Sequence, residues 1–143
     1  MEGAAGDRAS LLDGALEFPY SCPMNPTTFV RRSVEEVQPW AETCGQIRPL
    51  LEEKDQAAAE VHHLEITDAK LHYHERTDEI YYVLEGAGRM QLDDAEIELR
   101  KDVTVYVPRG VKHRAWGNLK ALVICIPRGV LSDVHEVADQ TAR

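Results

Sequence analysis

The chain reads as an all-β protein, an antiparallel sandwich or barrel, on two observations. From about residue 60 to Pro127 it breaks into short apolar or alternating runs: KLHYH, EIYYVL, GRMQL, EIELR, VTVYV and ALVICI. Turn signals, EGAG, DDA and PRG, separate some of them. Strands at that regular spacing argue for a sandwich or barrel rather than for parallel βαβ units.

Taken in order, residues 1–27 are rich in Gly, Ala and Pro, show no sustained period, and are expected to form an N-terminal arm. Ser33 and Glu36 have the spacing of a capping box, which predicts a short helical turn that Pro39 stops; a polar loop is the alternative. Gly45 to Leu51 is a candidate strand that Pro49 would confine to a sheet edge. LLEEKDQAAAEVHHLEI mixes helix formers with a strand-like end, and it resolves as a turn over 53–56 followed by a strand. ALVICI is apolar on both faces, so a second sheet or another subunit should cover each side. The expectation is one barrel domain over residues 28–130, with its core at about 60–127 and a tail at 131–143 that carries no pattern.

A chain of 143 residues suits a single domain that buries roughly two-thirds of its unfolded surface. With 25 acidic against 16 basic residues the net charge is -9, which argues against a nucleic-acid partner. Cys22, Cys44 and Cys125 are too few and too scattered for a disulfide framework. No signal-like leader and no run of about 18 apolar residues is present, so a soluble, cytoplasmic protein with no membrane partner is expected.

The chemistry concentrates in HYHERTDEIYYVLEG. His72 and His74 are two apart, and side chains at that spacing on a strand share a face. Glu79 opens the next run and could return an oxygen to the same spot if the two runs pair as a hairpin. His113, at the end of PRGVKH, adds a third imidazole. The set reads as a metal centre of three histidines and one carboxylate. Those donors suit Fe, Mn, Ni, Co, Cu or Zn, and four ligands on a six-coordinate ion leave two positions for substrate, water or oxygen. A structural zinc site would more typically use cysteines, and none lies near this cluster in sequence.

These residues carry a family resemblance. His72-x-His74, Glu79 and Gly86 resemble the first motif of the cupin superfamily, and Pro108-x-Gly110-x-x-His113 resembles the second. The resemblance implies an antiparallel jelly-roll barrel, often a homodimer, with one divalent metal ion inside. Ile66 and Asp102 stand where the motifs usually open with Gly, and Gly117 stands where Asn is usual, with Asn118 one place late. All four ligand positions are filled.

Around the cluster, Tyr81 and Val83 share the face of Glu79, so Tyr81 should line the cavity, either orienting a substrate or donating a proton, or simply as a barrel-lining aromatic. Only one of Arg89 and Met90 can face inward; an inward Arg89 would favour an anionic substrate, while a surface arginine is the simpler expectation. Of His62 and His63 at most one can look inward, and the simpler expectation for each is no part in the pocket. His135 is expected to be solvated. Three functions compete: a small metalloenzyme of the oxygenase, isomerase or lyase kind acting on a small polar substrate, a non-catalytic module binding a sugar or carboxylate, and a storage protein. The short single barrel fits the third least.

Overall fold

The structure is a computed structural model that describes residues 29–138. The expected N-terminal arm lies outside the described residues. Nine strands form one antiparallel system, and among the described residues there is no α-helix, only three short 3-10 turns. In chain order the strands are β1 (Trp40–Glu42), β2 (Gly45–Leu51), β3 (Glu60–Asp68), β4 (His72–Tyr73), β5 (Asp78–Leu92), β6 (Ala95–Arg100), β7 (Thr104–Val107), β8 (His113–Ile126) and β9 (His135–Glu136).

The turn predicted at Ser33 is a 3-10 turn over Val34–Glu36, and the Ser33 N–H donates to the Glu36 carboxylate at 2.7 Å. A second one covers Glu53–Asp55, where the sequence placed a turn. Asp55 accepts the Glu52 N–H at 2.9 Å and grips Arg32 through two contacts of 2.5 and 2.8 Å.

EGAG is not a turn. EIYYVL and GRMQL run on as the single 15-residue strand β5, paired along its length with the 14-residue β8, from Asp78↔Ile126 to Leu92↔His113. The outer edge of β5 pairs with β7 through its first half and with β6 through its second. Gly86 and Gly117 let the two long strands cross closely: a Cβ on Gly86, at φ +86°, would sit 1.9 Å from the Asn118 carbonyl oxygen, and one on Gly117 would sit 2.6 Å from that of Ala87.

A register shift between Val83 and Glu85 reverses the alternation along β5. Before it Glu79, Tyr81 and Val83 point inward; after it Met90 does, fully buried. Arg89 therefore faces out, half exposed and paired with Glu96. Asp102, where the resemblance expects Gly, adopts φ +69°, a conformation glycine takes without strain.

The core is the concave side of the curled sheet, with Ile47, Leu64, Ile66, Met90, Leu119, Ala121 and Val123 among its members. ALVICI, the end of β8, buries Ala121, Val123 and Cys125 in it, while Leu122 and Ile124 are half-buried on the convex side beside exposed Tyr82, Tyr106 and Ile126. The segment after Gly129 packs against the sheet. Asp133 is 1% exposed, β9 pairs with β4, and His135 stacks on Tyr73 at 5.0 Å instead of standing free in solvent. No helix among the described residues is long and apolar enough to cross a membrane.

Candidate metal centre

Backbone pairing differs from the expected hairpin in one respect that matters to the site. β4 pairs with β8, His72 opposite His113, and with β9; it does not pair with β5. A two-residue strand has too little ladder to hold β5, and the long β8 supplies the edge instead. Glu79 reaches the histidines across the barrel interior, not along a shared ladder.

The four side chains nevertheless meet. One donor atom from each of His72, His74, Glu79 and His113 lies within 4.8 Å of all the others, and all four residues are buried. Each ring is aimed by its backbone-facing nitrogen: His72 Nδ1 donates to the Lys70 carbonyl at 2.8 Å, His74 Nδ1 to that of Asp133 at 2.9 Å, and His113 Nδ1 to that of Val111 at 2.9 Å. With the proton on Nδ1, a neutral ring offers its Nε2 lone pair to the interior, the tautomer a metal ligand needs.

Those inward atoms are short of partners. His74 Nε2, His113 Nε2 and Glu79 Oε2 are buried without an aligned hydrogen bond, although His113 Nε2 and Glu79 Oε2 are 2.9 Å apart. Proximity without alignment is what results when several donor atoms point at one common centre rather than at each other. Burial opposes the Glu79 charge, yet His113 and His74 outweigh it and hold its carboxyl well below the usual range. Burial likewise opposes charge on His74, and Glu79 outweighs it, raising that pKa. On His72 burial dominates, helped by His113, and its pKa falls to about 4. The buried carboxylate thus calls for positive charge beside it, and the donor set of imidazoles and carboxylate fits a divalent transition ion. The cluster could hold a metal ion.

Support extends beyond the four. Asp133 accepts the N–H groups of Glu75, Arg76 and Thr77 at 3.1, 2.8 and 3.1 Å, fixing the loop behind His74. The Cys125 thiol donates to Glu79 Oε1 at 3.7 Å, so a cysteine does border the cluster in space, brought there because β5 and β8 pair with Glu79 opposite Cys125. Burial pushes the Cys44 thiol up to about 12 and that of Cys125 higher still, so both are protonated at neutral pH. Tyr81 is buried, its ring edge-on to His113 at 6.2 Å, and burial followed by the Glu79 charge raises its pKa well above the ordinary value.

A narrow, partly open pocket adjoins His72, His74 and Glu79. Ile47, Leu64, Val123, Val130 and Leu131 give it largely aliphatic walls. His62 also lines it, a residue for which the sequence suggested no pocket role. Its signal was the alternation of β3, which buries Glu60, His62, Leu64 and Ile66 on one face.

Residues 61–127 match the family described as "Cupin domain", the segment that contains all four cluster residues. They form a cupin domain. The cupin barrel is similar to a solved protein from Planctomyces limnophilus, with a TM-score of 0.72 and 27% identity over 76% of this chain and 97% of that one. It is also similar to Pac13 of Streptomyces, described as a nucleoside dehydratase, at a TM-score of 0.67 and 18% identity, covering 77% and 92% of the two chains. In sequence, MJ1618 of Methanocaldococcus jannaschii is 40% identical over 57 residues, which is 38% of this chain and 46% of that protein. The match thus spans less than half of that relative's length.

Proposed function

We propose that the protein is a divalent-metal-dependent enzyme acting on a small molecule held between the ion and the adjoining pocket. The observation that carries this reading is the common aim of the three histidines, each with Nδ1 committed to a backbone carbonyl and its other nitrogen turned toward Glu79. His72, His74, Glu79 and His113 are the proposed ligands. A divalent ion bound there supplies Lewis acidity and, with four protein ligands, open positions for a substrate.

The chain's own residues set the rest. The Cys125 thiol restrains Glu79 Oε1, leaving Oε2 for the ion. Tyr81, on the same face of β5 as Glu79 and edge-on to His113 at 6.2 Å, does not line this pocket; it is proposed to orient the substrate or hand it a proton from the His113 side of the cluster. The aliphatic walls select a substrate with a polar, ion-binding head and an apolar flank, and they exclude bulk water from the head. Among the fold relatives, Pac13 is described as a dehydratase and a structure of it holds uridine, which supports small-molecule chemistry inside such a barrel.

A second reading, a binding module in which the ion only anchors its ligand, is favoured by those same aliphatic walls. We also read the protein as a cytoplasmic homodimer. The free Cys44 and Cys125 suit a reducing compartment, and Tyr82, Tyr106 and Ile126 expose an apolar face that a second copy could cover. Light scattering on the parent and on Tyr106→Glu measures the second point.

Elemental analysis of untagged protein purified without chelators tests the metal reading, alongside His113→Ala. About one equivalent of metal in the parent, lost in the variant, is the expected outcome. Metal-free parent whose melting does not change with added Mn, Fe, Ni or Zn would overturn it.

A further inference from the structure

The pocket has a second polar element that the metal centre does not use. Glu60 and His62 are 1% and 2% exposed, and His62 Nε2 lies 2.8 Å from Glu60 Oε2. The other Glu60 oxygen accepts the Gly129 N–H in a short hydrogen bond. Burial opposes the Glu60 charge, but His62 and Gly129 outweigh it and keep the carboxylate ionised. An ionised carboxylate only accepts hydrogen bonds, so the proton between them belongs to Nε2. The remaining ring nitrogen, Nδ1, is buried and finds no hydrogen-bond partner among the described residues. A polar atom buried without a partner is costly to the fold by roughly 1–3 kcal/mol unless something meets it.

The register locates this pair relative to the cluster. Glu79 lies opposite Cys125, which lies opposite Glu60; one row on, Tyr81 lies opposite Val123, which lies opposite His62. Neighbouring strands are about 4.8 Å apart, so β3 stands roughly 10 Å from β5, with β8 between them. The gap is spanned by the aliphatic part of the pocket, and His62 and Glu79 both line it.

We propose that His62 is a specificity-determining residue of this pocket, its Nδ1 hydrogen-bonding a hydroxyl of the bound molecule, with Glu60 as the positioning residue that aims the ring. A hydroxyl both donates and accepts, so it answers Nδ1 in either protonation state of the ring. The ligand class is therefore a small aliphatic hydroxy acid or comparable molecule, with an anionic head for the ion at one end and a hydroxyl at the other. This rests on the metal reading for the head only; the Glu60–His62 geometry stands without it.

Two measurements test it. Nitrogen-15 NMR of the parent, with or without metal, is expected to find a proton on His62 Nε2 in a strong hydrogen bond that Glu60→Gln weakens. An unprotonated Nε2, or a signal indifferent to Glu60→Gln, overturns the dyad. Zinc-loaded parent is then titrated with straight-chain carboxylic acids of three to six carbons and their ω-hydroxy counterparts. At one chain length the hydroxyl should tighten binding about tenfold, and His62→Leu should abolish that gain while keeping its zinc. No hydroxyl preference at any length, or one that survives His62→Leu, overturns the subsite. If the leucine variant does not fold, the parent's preference and the perturbation of its His62 nitrogens by the hydroxy acid decide the matter. Failure of the parent to take up zinc overturns the metal reading, and the Nε2 measurement still decides the dyad.

Discussion

His113 Nε2 and Glu79 Oε2 are 2.9 Å apart, although they stand at opposite ends of one ladder. Glu79 pairs with Cys125 and His113 with Leu92, so some twelve residues of paired strand lie between them. In a flat ribbon that is about 40 Å. The β5/β8 ribbon must therefore double over on itself, and the site exists because it does.

The fold-over predicts that its corner is intolerant of a methyl group. Gly86→Ala puts a Cβ into the Asn118 carbonyl at a backbone angle that L-residues avoid, and is expected to cost about 3 kcal/mol or more. Gly110→Ala, also at positive φ but with nothing within 4 Å, should cost only about 1 kcal/mol. Urea denaturation of both variants measures the contrast, and equal losses would show that close crossing is not what Gly86 provides.

Asp133 secures His74 from 59 residues away, through its carbonyl on the ring and its carboxylate on the loop behind. Asp133→Ala leaves the backbone carbonyl in place but frees three N–H groups, one of them the buried Thr77 amide. A stability loss of about 2–3 kcal/mol and a metal affinity lowered roughly tenfold are expected. Calorimetric unfolding and a metal titration read the two separately.

Metal addition should stabilise the parent by mass action. At a hundredfold excess over its dissociation constant an ion bound only by the folded state contributes about 2.7 kcal/mol, or roughly 10 °C in Tm. Glu79→Ala removes the only carboxylate of the four-residue cluster and should show almost no shift. A full shift in that variant would mean that the ion binds elsewhere.

Acid should weaken the hold of the Glu53–Asp55 turn on the strands. The hydrogen-bonded Arg32 lowers Asp55 to about 2, below its unfolded value near 4. A depressed carboxylate pKa gives stability that is complete above the unfolded value and is lost as pH falls through the folded one. The loss therefore develops between about pH 4 and pH 2. For this surface-proximal pair we expect roughly 1 kcal/mol. Asp55→Asn should be less stable than the parent at pH 6 and equal to it at pH 2, by urea unfolding at each pH.

Much of the site was legible because its ligands sit in two short motifs, and adjacent spacing constrains side chains whatever the topology. His72 and His74 fall within three residues, and the PRG turn announces His113. The contribution of residues 130–134 to the pocket was not legible. Val130, Leu131 and Val134 follow no period, since a single turn and the loop after it have none to follow.

By itself the sequence determined the all-β class, most strand positions and the identity of the four cluster residues, because alternation and turn chemistry are local. Tertiary structure decided which strands pair, and so which side chains meet. EGAG looked like a turn, yet its Gly86 and Gly88 let β5 pass close to β8. One bulge after Val83 sends Arg89 outward and Met90 into the core, whereas unbroken alternation from Glu79 would have reversed them. The physical reason is the same in each case. A strand's period says which residues share a face, but the bulges, crossings and partners that say where that face points depend on contacts with residues far along the chain.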